Sequence, residues 1–369
     1  MVQHPFSGLR VGLVGPLPPP SGGMANQTLQ LAELLTSIGA VVATIQVNTP
    51  YAPTWVGKVP VLRSLFRMAP YLRGLWRAAG NSDVFHIMAN SGWSWHLFAT
   101  PAIWIAHWRA VPVVVNYRGG EAEHFLKRSK RTISFTMRRA SVLIVPSGFL
   151  QHVFAKFNMQ AEIVPNVVDL NRFKPRGPSL NGAIHLVVTR NLEALYDNET
   201  AIRAFRIFNA RFPQSRLTIA GSGPQEQYLR SLVLEVSLSN SVIFAGRLDR
   251  NEMATLYRSA DIMLNPSLAD NMPNSVLEAW ASGVPVVSTN VGGIPYLVKD
   301  GVNGTLVPPA DPEAMAHACV ALVANRDLWM QRVQAGLEEA QRYTWEYVQP
   351  VLTAAYQRAI ECHAKFSKG

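Results

Sequence analysis

Residues 267–293 read Ser-Leu-Ala-Asp-Asn-Met-Pro-Asn-Ser-Val-Leu-Glu-Ala-Trp-Ala-Ser-Gly-Val-Pro-Val-Val-Ser-Thr-Asn-Val-Gly-Gly. An apolar run, Ala260-Asp261-Ile262-Met263-Leu264, stops before it at Asn265-Pro266. Strand-forming residues that end in polar and Pro residues put the next segment in a loop at a strand's carboxyl end. A helix is expected from about Asn274 to Ala281, with Gly283 as its C-terminal stop. Val284 to Ser288 then reads as a buried strand, and Gly292-Gly293 as a turn into another helix. Two carboxylates bracket the loop: Asp270 before the helix and Glu278 about one turn inside it. The free N–H groups at the helix start, through Asn271, Met272, Pro273, Asn274 and Ser275, suit a phosphate. One acid for sugar hydroxyls, one for a ribose and a helix end for a diphosphate describe a nucleotide-sugar site. Taken alone, the same spacing also fits a solvated acidic loop that caps a helix.

Working outward, the chain has 369 residues, long for one domain, with 48% hydrophobic and 16% charged residues. That favours two comparable domains with ample core and excludes a disordered chain. Cys319 and Cys362 are the two cysteines, so neither a disulfide framework nor a cysteine metal site is expected. The N-terminal residues lack the charged-then-apolar pattern of a signal peptide. The longest apolar stretch, Trp93 to Trp108, is broken by His96, Pro101 and His107 and falls short of the ~18–20 residues that span a bilayer. The expectation is a cytoplasmic protein.

Upstream, Leu9 to Val14 reads as a first buried strand. The turn through Gly22-Gly23 opens a helix from about Met24 to Ile38, and Val41 to Val47 is the next strand. Together they form a right-handed βαβ unit. The paired glycines let backbone approach an anion. This is not the dinucleotide fingerprint, because G-x-G-x-x-G and the acid after the second strand are missing. Further strands are expected at Asp83–Met88, Pro112–Val115, Val142–Ser147, Ala161–Asn166, Ile184–Thr189, Leu217–Ala220 and Val242–Leu248. Lys174 to Gly182, with two Pro and two Gly, reads as a linker.

Charge is divided unevenly. Residues 1–180 hold 18 Lys+Arg and 6 Asp+Glu, net +12; residues 181–369 hold 16 and 18, net −2; the sum is the overall +10. A basic first half points to an anionic ligand or surface. Lys58 to Ala79 is a basic helical stretch, with Leu62, Leu65, Phe66, Leu72, Leu75 and Trp76 at near-helical spacing among Arg63, Arg67, Arg73 and Arg77. An ordinary surface helix is one reading and a membrane-surface helix the sharper one. Six of the nine Trp residues (Trp55, Trp76, Trp93, Trp95, Trp104, Trp108) fall in the first 110 positions, which suits a headgroup interface. No nucleic-acid-reading module is recognisable, so nucleic acid is not an expected partner.

The D-N-M-P-N-S-V-L-E-A-W-A-S-G-V-P-V-V-S-T segment resembles the Glu-x7-Glu signature of family-4 retaining glycosyltransferases with the GT-B fold. Other segments follow that family's order: the Gly22-Gly23 loop, the Asp83–Met88 strand, Pro165–Phe173, Gly221-Ser222-Gly223-Pro224, Val291–Pro295 and Asp300–Gly304. The resemblance implies two Rossmann-like α/β domains, their parallel sheets facing an interdomain cleft. The first would span residues 1–173, with a helix over about 348–369 packing back on it; the linker 174–182, and the nucleotide-sugar domain 183–347. It implies Asp270 on the donor sugar, Glu278 on the ribose and Arg190 on phosphate. Gly22, Gly23, Gly221, Gly223, Arg247, Leu248 and residues 271–275 would line the donor, and His86, Glu121 and His124 the acceptor side.

Five departures stand out. Asp270 replaces the first Glu, Met88 the second His of its strand, Arg118 a His that contacts donor sugar or acceptor, Val167 the Gly of the Pro165–Phe173 segment, and Leu195 the Lys that accompanies Arg190. Arg cannot act as a base and would bind anionic groups, so Arg118 is the candidate replacement for the lost Lys. The implied reaction transfers a sugar with retention and needs no metal or cofactor beyond the donor, a UDP- or GDP-sugar. The acceptor would be a glycan or a polyprenyl-phosphate-linked glycan at the inner membrane face, in cell-surface or exopolysaccharide synthesis. Two alternatives stay open: a nucleotide-sugar-binding protein that has lost catalysis, and a GT-B sugar phosphorylase.

Overall fold

The structure is a computed structural model that describes residues 6–19, 22–49, 60–175, 177, 180 and 182–366. Trp55, Lys58 and part of the expected linker (Arg176, Pro178, Ser179 and Asn181) lie outside the described residues, as does the N-terminal segment 1–5. The chain divides into two units, residues 1–165 with 349–369, and residues 166–348. Residues 166–173, placed by sequence before the linker, group with the second unit, and residues 349–369 group with the first.

In the first unit the strands are β1 (Arg10–Gly15), β2 (Val41–Gln46), β3 (Val84–Ala89), β4 (Val113–Tyr117), β5 (Val142–Val145) and β6 (Glu162–Ile163). Helices α1 (Gly23–Ser37), α2 (Pro60–Ala79), α3 (Thr100–Trp108), α4 (Ala122–Met137) and α5 (Gly148–Ala155) connect them. The sheet is parallel, in the order β2-β1-β3-β4-β5-β6. β3 and β4 are buried at every residue, as expected of strands covered on both faces by helices. The order turns back at β1, between β2 and β3, and such a switch point opens a crevice beyond the strands' carboxyl ends.

The second unit repeats the plan. Its strands are β7 (His185–Val188), β8 (Arg216–Ala220), β9 (Val242–Gly246), β10 (Ile262–Asn265), β11 (Val286–Thr289) and β12 (Thr305–Val307), in the parallel order β12-β11-β10-β7-β8-β9. Helices α6 (Asn198–Arg211), α7 (Glu226–Glu235), α8 (Arg250–Ser259), α9 (Asn274–Ala281), α10 (Ile294–Leu297), α11 (Pro312–Ala324) and α12 (Arg326–Ala340) surround the sheet. The last helix, α13 (Trp345–Phe366), contributes most of its length to the first unit. α9 has the bounds expected from sequence, and Gly283 ends it at φ +69°, a conformation that a β-carbon disfavours. The switch point of this sheet lies at β7 and β10, the two strands whose ends carry Arg190 and the loop of Asp270.

Candidate functional site

Arg190 leaves the end of β7 and forms an ion pair with Asp270; the two side chains are 11% and 14% exposed. Its Nη1 also donates to Ser275 Oγ at 3.4 Å, and its guanidinium lies 4.2 Å from the ring centroid of Tyr196. Nε of Arg190 is buried with no hydrogen-bond partner, a cost that a bound acceptor atom would remove. Asp270 also accepts from the Asn271 backbone N–H at 2.9 Å. Burial pushes the Asp270 carboxyl up, and Arg190 with the Asn271 N–H pulls it back.

Glycines let neighbouring turns lie close against this loop and against the segment of Arg190. A β-carbon at Gly292 would sit 2.4 Å from the Asp270 carbonyl oxygen, and one at Gly293 2.0 Å from that of Asn271. The Gly293 N–H donates to the Asp270 carbonyl at 2.8 Å. Likewise β-carbons at Gly221 and Gly223 would lie 2.1 and 2.4 Å from the carbonyls of Arg190 and Leu192. The sequence reading gave Gly221 and Gly223 to the donor. Here their missing side chains make room for the protein's own backbone, and the Gly221 N–H is committed to Gly246 at 2.8 Å.

α9 begins at Asn274 behind Pro273, with no side-chain cap on its first turn. Its start is anchored from below by Asn166, which donates to the Met272 carbonyl (2.9 Å) and Asn274 Oδ1 (2.8 Å). Buried Tyr257 donates to the Ser275 carbonyl at 3.0 Å and lies 2.6 Å from the Thr189 hydroxyl. An uncapped, rigidly held helix start is a place for an anion. One turn on, Glu278 is half-buried and its carboxyl makes no hydrogen bond among the described residues. Burial raises it to about 7, while Arg250, Arg190 and Arg172 pull the other way. Of the other expected donor residues, Asn271, Met272, Pro273 and Ser275 are buried, Arg247 is exposed and donates to Ser222 Oγ at 3.0 Å, and Leu248 is half-buried.

The first unit holds a second polar construction. Tyr356 on α13 places its hydroxyl 2.8 Å from His86 Nδ1, and Asn116 Nδ2 is 3.0 Å from His86 Nε2. Asn116 Oδ1 accepts from Arg118 Nε at 3.1 Å, and Gln27 Oε1 from Arg118 Nη1 at 2.6 Å. An amide N–H can only donate, so His86 Nε2 accepts and Nδ1 carries the proton toward Tyr356. Burial and nearby Arg118 lower His86 to about 3, and burial lowers Arg118 to about 10. The imidazole is neutral at physiological pH and the guanidinium charged.

This corrects one expectation. His86 was read as an acceptor contact, but it has no solvent exposure and both ring nitrogens are occupied. It orients Asn116, and through it Arg118. Glu121 and His124 are exposed at the start of α4, and Gly22-Gly23 face open space at the start of α1. Sequence reasoning missed Tyr196, Tyr257, Asn166, Asn116 and Tyr356. An aromatic residue directly after Leu195, and an Asn and an Arg two apart at the end of β4, were the available signals. No group of His, Cys, Asp and Glu able to hold a metal occurs among the described residues.

Comparison with known proteins identifies the family and the fold. A family model described as "Glycosyltransferase Family 4" matches residues 21–172, and one described as "Glycosyl transferases group 1" matches residues 185–325. The D-inositol 3-phosphate glycosyltransferase of Mycolicibacterium paratuberculosis is 30% identical over 219 residues, 56% of this chain and 49% of that protein. Its namesake in Mycobacterium bovis is 32% identical over 213 residues, 54% and 44% of the two chains. The chain thus spans about half the length of these curated relatives. Among solved structures, sucrose-phosphate synthase from Thermosynechococcus elongatus superposes with a TM-score of 0.76 at 19% identity, over 95% of this chain and 98% of that one. Anabaena HepE, solved with UDP and glucose, gives 0.72 at 16% identity, over 94% and 99%. At such identities the likeness is one of fold.

Proposed function

From the premise that the chain belongs to the group 1, family-4 glycosyltransferases with the GT-B fold, we propose that it transfers a sugar from a nucleotide-sugar donor with retention of configuration. The observation that carries this reading is the grouping on the second unit. The Arg190–Asp270 pair, the uncapped start of α9 and the uncommitted Glu278 stand within nine residues of sequence and one strand end. In this reading Asp270 holds donor-sugar hydroxyls, Glu278 the ribose, and Arg190 with the helix start the diphosphate. The charge that builds on the leaving diphosphate is then met by fixed N–H dipoles and a guanidinium, with no dedicated metal site required. No side chain stands out as a base among the described residues, so in this reading the leaving phosphate supplies part of the base that takes the acceptor's proton.

UDP and glucose bound to HepE support a UDP-hexose donor, and GDP-sugars remain in the donor class. Arg118, held by two amide oxygens, fits an anionic group, either of the donor or of a phosphorylated acceptor. Together with the basic first half of the sequence, this favours a polyprenyl-phosphate-linked glycan at the cytoplasmic membrane face, in cell-surface polysaccharide synthesis. Leu195 keeps a second reading in view: a protein that binds the donor without transferring it. Melting curves with UDP-, GDP- and ADP-sugars test the donor, since a bound ligand raises apparent stability. One class should raise the midpoint in parent protein and fail to do so in Glu278→Ala. Stabilisation by none would remove the reading; stabilisation without turnover on any lipid-phosphate acceptor would favour the second.

A further inference from the structure

α2 turns Tyr71, Leu75 and Ala79 into the core, a stripe at four-residue spacing. On its open side stand Phe66 (43% exposed), Leu72 (38%) and Trp76 (49%), with Arg73 and Arg77 also exposed. Scattered exposed apolar residues need no explanation. These are joined to others. The Arg109 guanidinium lies 5.0 Å from the Trp76 ring centroid, and its neighbour Trp108, 65% exposed, is 5.7 Å from Trp104. Trp104 is in turn 5.6 Å from exposed Phe135 on α4, and Arg139 stands 3.8 Å over Trp104 and 4.3 Å over Phe135. Three helices therefore present one strip of indole, phenyl and guanidinium groups.

We propose that this strip docks the protein on an anionic lipid bilayer, with the aromatic rings at headgroup depth and the arginines on lipid phosphates. Charge complementarity chooses the occupant: residues 60–140 contain 12 Lys+Arg against 3 Asp+Glu. Trp and Arg are the side chains that tolerate a boundary with one apolar and one wet side. No described helix is long and apolar enough to cross a membrane, so the contact lies on the surface and draws on both buried apolar area and attraction to anionic lipid. α2, α3 and α4 run into β3, β4 and β5, so the helix ends that bear Trp76, Arg109 and Arg139 stand at the amino edge of the sheet. Arg118, at the end of β4, stands at the carboxyl edge. Docking and chemistry thus use different residues. The inference rests on the lipid-linked acceptor reading for its purpose, not for its geometry.

The test is sedimentation of the full chain with vesicles of phosphatidylcholine alone, or with roughly one-third phosphatidylglycerol, with melting temperature as the control for fold. The anionic vesicles should bind about tenfold better, and added salt should weaken the binding. Trp76→Ala with Trp108→Ala, and separately Arg109→Gln with Arg139→Gln, should each lower partitioning roughly tenfold and leave donor-induced stabilisation unchanged. Equal binding to both vesicle types, or undiminished binding by both double variants, overturns the proposal. So does a dimer that the tryptophan substitutions dissociate, or an oligonucleotide that the strip retains in preference to vesicles. Vesicle binding that survives while no nucleotide sugar stabilises the protein would uphold the surface and remove the donor reading.

Discussion

Each unit of this protein holds an arginine at a strand end, but by different means. Arg190 is gripped by a carboxylate, Asp270, and faced by Tyr196. Arg118 is held by the amide oxygens of Asn116 and Gln27, at the end of a line that runs back through His86 to Tyr356. The first grip joins two groups that the proposed chemistry uses separately, and the Arg190 Nε that it leaves unpartnered is open to a ligand that would share the pair's bonding. The groups described in the second grip, two amides, an imidazole and a phenol, are neutral and orient a charged guanidinium. One arginine is open to a further partner; the other is braced.

The largest effect should come from breaking the charged pair. Arg190→Ala removes the contact proposed for the diphosphate and leaves Asp270 largely buried without its cation. Turnover, read as nucleotide release, should fall ~10²–10³-fold, and the melting midpoint should fall with it. Next, Arg118→Ala should lower turnover roughly 10²-fold if Arg118 holds an anionic group during the reaction. Arg118→Lys should recover part of this at most, because an ammonium cannot meet both amide oxygens in the same plane. Unchanged turnover in Arg118→Ala would break the comparison, by making the braced arginine a structural group.

A smaller change tests the brace itself. Tyr356→Phe leaves the buried His86 Nδ1–H without an acceptor, which should cost about 1–3 kcal/mol in denaturant unfolding. It should also lower kcat more than it raises KM if the line orients Arg118 during reaction. The smallest effect is one of pH. Glu278 is raised to about 7 from an ordinary value near 4.3. The folded protein therefore binds its proton more tightly than the unfolded chain, and this stabilisation is lost as pH rises from about 4.5 through 7. Glu278→Gln should flatten stability across that window and make the protein more stable than its parent above it. A depressed His86 acts oppositely: its stabilisation is present above about 6.5 and lost as pH falls toward 3.

Most strands and the helix of residues 274–281 were legible because continuous apolar runs end abruptly at Asn, Pro or Gly, and these elements depend on local pattern. The acids and Arg190 were singled out because their segments resemble the family's motifs; the spacing of the acids and the strand end before the arginine fit a site but did not by themselves decide for one. His86 misled because a histidine on a strand looks the same in sequence whether it faces a ligand or the core. Its partner Tyr356 is 270 residues away, and nothing local announces such a pairing. The roles of Gly221 and Gly223 were half-legible: a glycine signals close approach, but not whether a ligand or the chain itself approaches.

The glycine pair at 292–293 has a consequence for how such a site can change. Because the turn lies flush against the carbonyls of Asp270 and Asn271 and its Gly293 N–H bonds the first of them, the main chain of the loop that carries the first acid has little room to move on that side. A lineage adapting to a different sugar would have to exchange side chains on a fixed frame, so the aspartate, one carbon shorter than the glutamate of the resembled signature, is the kind of adjustment that remains open to it.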